Sequence, residues 1–409
     1  MKNMVNAFTL ILFSLISFFP FPFLSAHVLQ VDIFLFIFLA ILCADKERIK
    51  DLFSKHDCWL WLFLASMFAG TINATQKQIA FKAYSHLFIT FALLFYIGKG
   101  ILRKPKDANF LMILISCVSC IIVMIGFSEM FMGKNILYEK LFTHNPYYER
   151  YVKFGHRILS TQYNPVVLGS YLLFCLPFNF ALSKHGSFPL KRLGIFSSIA
   201  CIIAALLTFS RGVFLGLIVL LFFYFWKARR KKILALIIIC VTVLILSASL
   251  QRREPLCRFG IFRLFSGTYD SIFSEYRMAR VNMTARIFKE HPFVGIGLQH
   301  FRIRFVEFCE LADKKTPHEF MIPDNMYLTF LAETGVCGIL GFLVFVFLLL
   351  KKGFYEFRNT SGLISALLGL LVNMGGYELF YWDNPLMLFA LLCGFLAVDR
   401  SCYQSHQEG

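Results

Sequence analysis

The chain has 409 residues, of which 58% are hydrophobic and 16% charged, with 41 Lys and Arg against 24 Asp and Glu for a net charge of +17. A soluble globular domain, at about 25% charged residues, is excluded as a description. Apolar runs of about 17–25 residues recur along the whole length, as membrane-spanning helices require. Stretches such as LIVLLFFYF and LIIICVTVLIL are apolar on every face, which excludes the alternating strands of a membrane barrel. The positive charge therefore marks membrane sides and does not indicate nucleic-acid binding.

In chain order, spans are predicted near 5–25, 27–43, 58–74, 83–100, 109–131, 165–183, 193–209, 211–226, 233–249, 325–350, 361–379 and 384–399. The first of these also reads as a signal peptide with small residues at Ser25 and Ala26; cleavage there leaves the later topology unchanged. With the N-terminus cytoplasmic, the clusters KERIK (46–50), KGILRKPK (99–106), KR (191–192), KARRKK (227–232) and KK (351–352) all face inside, and both termini are cytoplasmic. The segment 250–323 holds twelve of the 41 cations on the outside, which long loops tolerate because they are translocated largely regardless of charge.

The expected fold is all-α and polytopic, with about twelve transmembrane helices and one long, partly helical extracytoplasmic loop. The chain divides into N-terminal helices (1–133), a first outside loop (134–164), helices around an SRG junction (165–249), the long outside loop (250–323) and C-terminal helices (324–409). The long loop has room for two or three short helices.

Twelve cysteines are scattered, mostly in spans, where the residue behaves as a small apolar one. Cys117 and Cys120 form a CxxC without His or acidic companions, which reads as packing, and no metal site is expected. Cys257 and Cys309 fall in the outside loop, where a disulfide is chemically permitted.

The stretch LLTFSRGVFLGL sets Arg211 within a 34-residue apolar run from Leu193 to Trp226. As one helix that run would extend about 50 Å against a hydrocarbon core of about 30 Å, so two helices meet inside it. Basic clusters at both ends require the junction to face outside. Arg211 then sits at the outer interface, either as a snorkelling anchor or as part of a site.

TFSRG followed by an apolar span resembles the core signature of the O-antigen ligase and polymerase superfamily. HRILSTQYNPVVLGSYL (156–172), RMARVNMTARIFKEHPFVGIGLQHF (277–301) and DNMYLTFLAETGVCG (324–338) resemble further family segments in the expected order. The resemblance implies a GT-C-like helical enzyme of the bacterial inner (cytoplasmic) membrane, with its site on the periplasmic face. It implies an undecaprenyl-pyrophosphate-linked glycan as donor, no cofactor or metal, and arginines on the pyrophosphate. Arg211 matches the first such arginine and Arg277, fourteen residues before His291, the second, with Val281 where an aromatic is common. Guanidinium suits the task because it stays charged and offers paired planar donors.

Arg280, one turn after Arg277, is either a further donor ligand or, like Arg286, a solvated loop charge. Asp324-Asn325 stands where ligases of the family commonly carry His-Asn. Asp324 is a base toward an acceptor hydroxyl, a cap for the following helix, or both. Aspartate, near 3.9, is the weaker base unless burial raises it, and His318 is a substitute. Glu333 lies slightly inside the membrane and is expected to have an arginine partner. Gly335, Gly338 and Gly341 read as helix-packing positions, Asn164-Pro165 as a span start, and Arg157 and His156 as lining of an acceptor path.

The implied reaction is inverting transfer of a glycan to lipid A-core, to another lipid-linked glycan or to a protein hydroxyl. These are the activities of a ligase, a polymerase and a protein O-oligosaccharyltransferase. A transporter of lipid-linked sugars is the rival of another class.

Overall fold

A computed structural model describes residues 57–101, 105–132, 157–162, 164–227, 271–308, 322–355 and 357–398. The spans predicted at 5–25, 27–43 and 233–249, both termini, His156, His318 and the Cys257–Cys309 pairing lie outside the described residues.

Among the described residues all extended regular structure is helical: α1 (Cys58–Ala69), α2 (Lys77–Ile101), α3 (Pro105–Met132), α4 (Pro165–His185), α5 (Phe188–Leu207), α6 (Arg211–Lys227), α7 (Ser271–Glu290), α8 (Phe301–Phe308), α9 (Met326–Tyr355), α10 (Phe357–Met374) and α11 (Asp383–Ala397), with a short 3-10 turn at Leu379–Tyr381. Five of these, α2, α3, α4, α5 and α9, are long and apolar enough to cross a membrane, and α1, α10 and α11 are shorter apolar helices. The architecture is that of a polytopic membrane protein. Helix α4 is the hub, packing against α3, α5, α6, α10 and α11. Helix α11 is buried from Asn384 to Ala397, so the core lies between these two.

Local chemistry sets the helix starts. Asn164 accepts from the Val166 N–H at 2.8 Å with Pro165 at the first helical position, a cap and a residue that needs no donor. Asn325 accepts from the N–H groups of Tyr327 (2.9 Å) and Leu328 (3.2 Å) and so caps α9. The cap is therefore Asn325 and not Asp324, whose carboxylate is used elsewhere.

Several expected boundaries move: the span predicted at 58–74 ends at Ala69, that at 193–209 starts at Phe188 and that at 325–350 runs on to Tyr355. The span predicted at 83–100 starts earlier, at Lys77. The one predicted at 361–379 stops at Met374, where Gly375 and Gly376 turn the chain and leave Tyr377 and Glu378 in a connection. The long loop expected at 250–323 does contain helices, α7 and α8, over its described part.

Helix α9 is broken at Gly335, whose backbone (φ 61, ψ −160) is open to glycine alone. A broken helix exposes carbonyls on one side and N–H groups on the other. Here the 292–297 loop supplies the partners: Ile296 and Gly297 donate to the carbonyls of Ala332 (3.1 Å) and Glu333 (2.9 Å), while Val336 and Cys337 donate to those of Pro292 (2.8 Å) and Phe293 (3.0 Å). The His-Pro…Gly-x-Gly stretch is thus a docking segment for α9. Glu333, buried at this break, accepts from the Phe301 N–H (3.1 Å) at the start of α8 and from the Tyr381 hydroxyl. Among the described residues its partners are main chain and a phenol, in place of the expected arginine.

Several connecting segments meet at one end of the bundle. Gln76 donates to His300 (3.1 Å), Asn164 to the Tyr377 hydroxyl (2.6 Å) and Asn325 to the Gly375 carbonyl (3.0 Å). At the other end Lys99 pairs with Asp57 at 2.8 Å, both side chains nearly inaccessible, and Lys352 donates to the carbonyl of Ala397 at 2.7 Å.

Candidate functional site

The apolar run around Arg211 divides as its length requires: α5 ends at Leu207, and α6 begins at Arg211. Between them Phe209 takes a left-handed backbone (φ 46), a conformation uncommon for a bulky residue and retained where the surroundings enforce it. Arg211 therefore opens a 17-residue helix, where unpaired N–H groups and the helix dipole already favour an anion. Gly212 follows because a Cβ there would strike the side-chain oxygen of Asn373 on α10.

A second strand of the site comes from 157–162. The Glu129 carboxylate accepts the N–H groups of Leu159 (2.7 Å) and Ser160 (2.8 Å) and pins this segment to the end of α3. Arg157 then donates through Nε to the Thr208 carbonyl at 2.7 Å, next to the junction.

The third part is α7 with the entry to α9. Arg280 is 5% exposed and donates through Nη2 to Asp324 Oδ2 (2.8 Å) and through Nη1 to the Ile322 carbonyl (2.8 Å). It is a buried, paired cation, unlike a solvated loop charge. Arg286 has the latter character, exposed and paired with Glu290 four residues on.

These parts enclose a cleft of about 570 Å³ lined by Arg157, Arg211, Arg280, Asp324 and Asn325, with Tyr377 and the Gly375-Gly376 turn on one wall. Val166, Phe209, Met278, Val281 and Leu328 give it an apolar flank, and Met278 and Val281 are also exposed. The cleft thus joins three guanidinium groups, a carboxylate and an oily border. That combination can bind a phosphate-bearing amphiphile and orient a hydroxyl beside it.

Of the sequence-predicted residues, the structure brings Arg157, Arg211, Arg280, Asp324 and Asn325 together. Arg277 lies on α7, one turn before Val281 in register, with its side chain outside the described residues. Glu333 is set apart from the cleft, at the break in α9.

Sequence reasoning missed Tyr377 and Glu378 because 361–379 reads as one apolar span. The Gly-Gly pair followed by an acidic residue was the turn signal that could have found them. Glu378 is buried, and burial, followed by the nearby Asp324 charge, raises its carboxyl well above the ordinary range. Tyr381 is likewise raised well above the usual phenol value, by burial and then by Glu333.

Residues 196–343 match the family model described as O-antigen ligase, and the chain matches no curated protein. The matched stretch contains Arg211, Arg277, Arg280, Asp324, Asn325 and Glu333, while Arg157 and the 375–378 wall lie beyond it.

Proposed function

On the premise that the chain is a glycan-transferring member of the O-antigen ligase and polymerase superfamily, as the match over 196–343 supports, we propose that it moves a glycan from undecaprenyl pyrophosphate to an acceptor hydroxyl. The single observation that carries this reading is the cleft in which Arg157, Arg211 and Arg280 converge beside Asp324 at the N-terminus of α6. Arg211 and Arg277 take the donor pyrophosphate, with Arg280 in support. The acceptor oxygen attacks the anomeric carbon as its bond to the phosphate oxygen breaks, the electron pair leaves with the pyrophosphate, and the hydroxyl proton passes to Asp324. One such displacement inverts the anomeric centre.

Preorganised guanidinium groups stabilise charge that develops on the leaving oxygen, a contribution that can exceed all others in a water-poor site. The chain itself supplies this positive charge, so the proposed step uses no metal or cofactor. The apolar flank formed by Val166, Met278, Val281 and Leu328 suits the first units of a polyprenyl tail. In this reading the protein lies in the bacterial inner membrane with the cleft on the periplasmic face, and the preferred acceptor is lipid A-core. Asp324 in the place of a histidine keeps the polymerase as the alternative.

The test is to incubate the purified protein with labelled lipid-linked glycan and, separately, lipid A-core, a second lipid-linked glycan and an acceptor protein. Transfer with release of undecaprenyl pyrophosphate supports the reading, and the productive acceptor assigns ligase, polymerase or protein oligosaccharyltransferase. Movement of the lipid-linked glycan across a vesicle membrane without any bond change would replace it with transport.

A further inference from the structure

The turn at 375–377 is held from both ends of the cleft. On one side it lies against the residue after Arg211: a Cβ added at Gly376 would stand 3.4 Å from the Cα of Gly212 and 3.7 Å from its nitrogen. On the other side Asn325, the residue after Asp324, donates through Nδ2 to the Gly375 carbonyl at 3.0 Å.

Asn164 and Asn325 hold the turn in the same way. Each caps a helix through Oδ1 and directs its amide nitrogen to the turn, Asn164 donating to the Tyr377 hydroxyl at 2.6 Å. Capping needs only the oxygen, which aspartate or serine would also supply; the second bond needs the amide donors. Trp382 stacks on Tyr377, with 6.0 Å between ring centroids and 27° between planes. The half-buried Tyr377 is thus fixed at its hydroxyl and along one side where it borders the cleft.

With the leaving pyrophosphate at Arg211 and the attacking hydroxyl at Asp324, the sugar under attack lies between them, as the turn does. We propose that Tyr377 is a specificity-determining residue that takes the donor's first sugar, the one bonded to pyrophosphate, against its ring. This rests on the donor reading given above. The C–H face of a sugar ring is apolar with slightly positive hydrogens, which complements the negative face of a phenol. Tyr377 lies beyond the matched stretch 196–343 that contains Arg211 and Asp324, so recognition of the sugar is separable in sequence from recognition of the pyrophosphate.

The full-length protein in lipid nanodiscs is tested for binding of two probes, undecaprenyl pyrophosphate alone and the same lipid bearing one hexose. The wild type should prefer the sugar-bearing probe, and Tyr377→Leu should lower the ratio of the two affinities by about two- to tenfold. Tyr377→Phe keeps the ring, loses the bond to Asn164 and should keep most of the preference. Equal wild-type affinities for the probes, an unaltered ratio in Tyr377→Leu, or equal losses in the two variants overturn the proposal.

Should Tyr377→Leu not be recovered folded, Asn325→Ser decides, because it keeps a capping oxygen and removes the tie to Gly375. Its ratio should also fall, and a wild-type ratio overturns the proposal. A Tyr377→Leu effect confined to the KM for a glycan acceptor would set the ring against the acceptor and overturn it too. If the wild type binds neither probe, the donor reading fails and the proposal falls with it; if both bind and the ratio ignores Tyr377, the proposal alone fails.

Discussion

Arg280 holds Asp324 and the carbonyl of Ile322 with the two arms of one guanidinium, each at 2.8 Å. The carboxylate of the cleft and the backbone leading to it are thus fixed by the same group. A lysine has the charge but not the planar fork. Arg280→Lys should lose at least one charge-assisted bond, about 1.5–3 kcal/mol, and so slow transfer by roughly 10–100-fold. Turnover at saturating donor reads this.

Asp324 is released from a capping role because Asn325 performs it. Asp324→Asn should therefore keep the start of α9 and lower turnover by about 10²–10⁴ if the residue accepts the proton. Asp324→His should recover activity with a pH dependence centred near about 6.5. Unchanged turnover of the Asn variant across pH would rule out proton acceptance at this position.

Arg211 opens α6 and borders the cleft while half-buried. Arg211→Ala is expected to insert and fold normally and to lose undecaprenyl pyrophosphate binding and transfer together. Size-exclusion behaviour in detergent checks the first, and a transfer assay the second. Full activity of this variant would sink the pyrophosphate clamp.

Gly335 occupies a backbone region closed to other residues and abuts the Phe293 main chain. Gly335→Ala should cost about 1–3 kcal/mol from backbone strain alone, with more from the displaced 292–297 loop. Thermal unfolding of the solubilised protein measures it, and Gly126→Ala, on α3 where an added Cβ would meet only the Ile158 and Ser160 side chains at 3.3 Å or more, provides a comparison.

Glu378 links stability to pH. Its carboxyl is raised in the folded protein relative to about 4.3 in an unfolded chain. The native state therefore binds more protons above that value, and the contribution, complete below about pH 4.3, is lost as pH rises through the folded value. Glu378→Gln should flatten this fall and raise the unfolding midpoint on the alkaline side. Parallel profiles for the two proteins would exclude such linkage.

The junction at Arg211 was legible because length is a strong constraint: a largely apolar run of 34 residues cannot form one span, and α5 ends at Leu207 before α6 begins at Arg211. The choice between Asp324 and Asn325 as cap was not, since adjacent residues of equal capping chemistry are distinguished only by which side chain turns back on the helix. Glu333 was rightly recognised as needing a partner. Its partners are main-chain and phenolic groups brought from α8 and the 3-10 turn, and no periodicity encodes such donors. Arg280 was undecided for a related reason, because whether a loop cation is solvated depends on what the next helix presents to it.

The joint between 292–297 and the break in α9 consists of four main-chain hydrogen bonds. Such a joint is blind to side-chain identity except where glycine is required. The exposed faces of Phe293 and Cys337 can therefore drift, acquire bulk or change charge while the geometry beneath them persists. The surface there can in this way be recut while the break in α9, and the buried Glu333 behind it, are inherited unaltered.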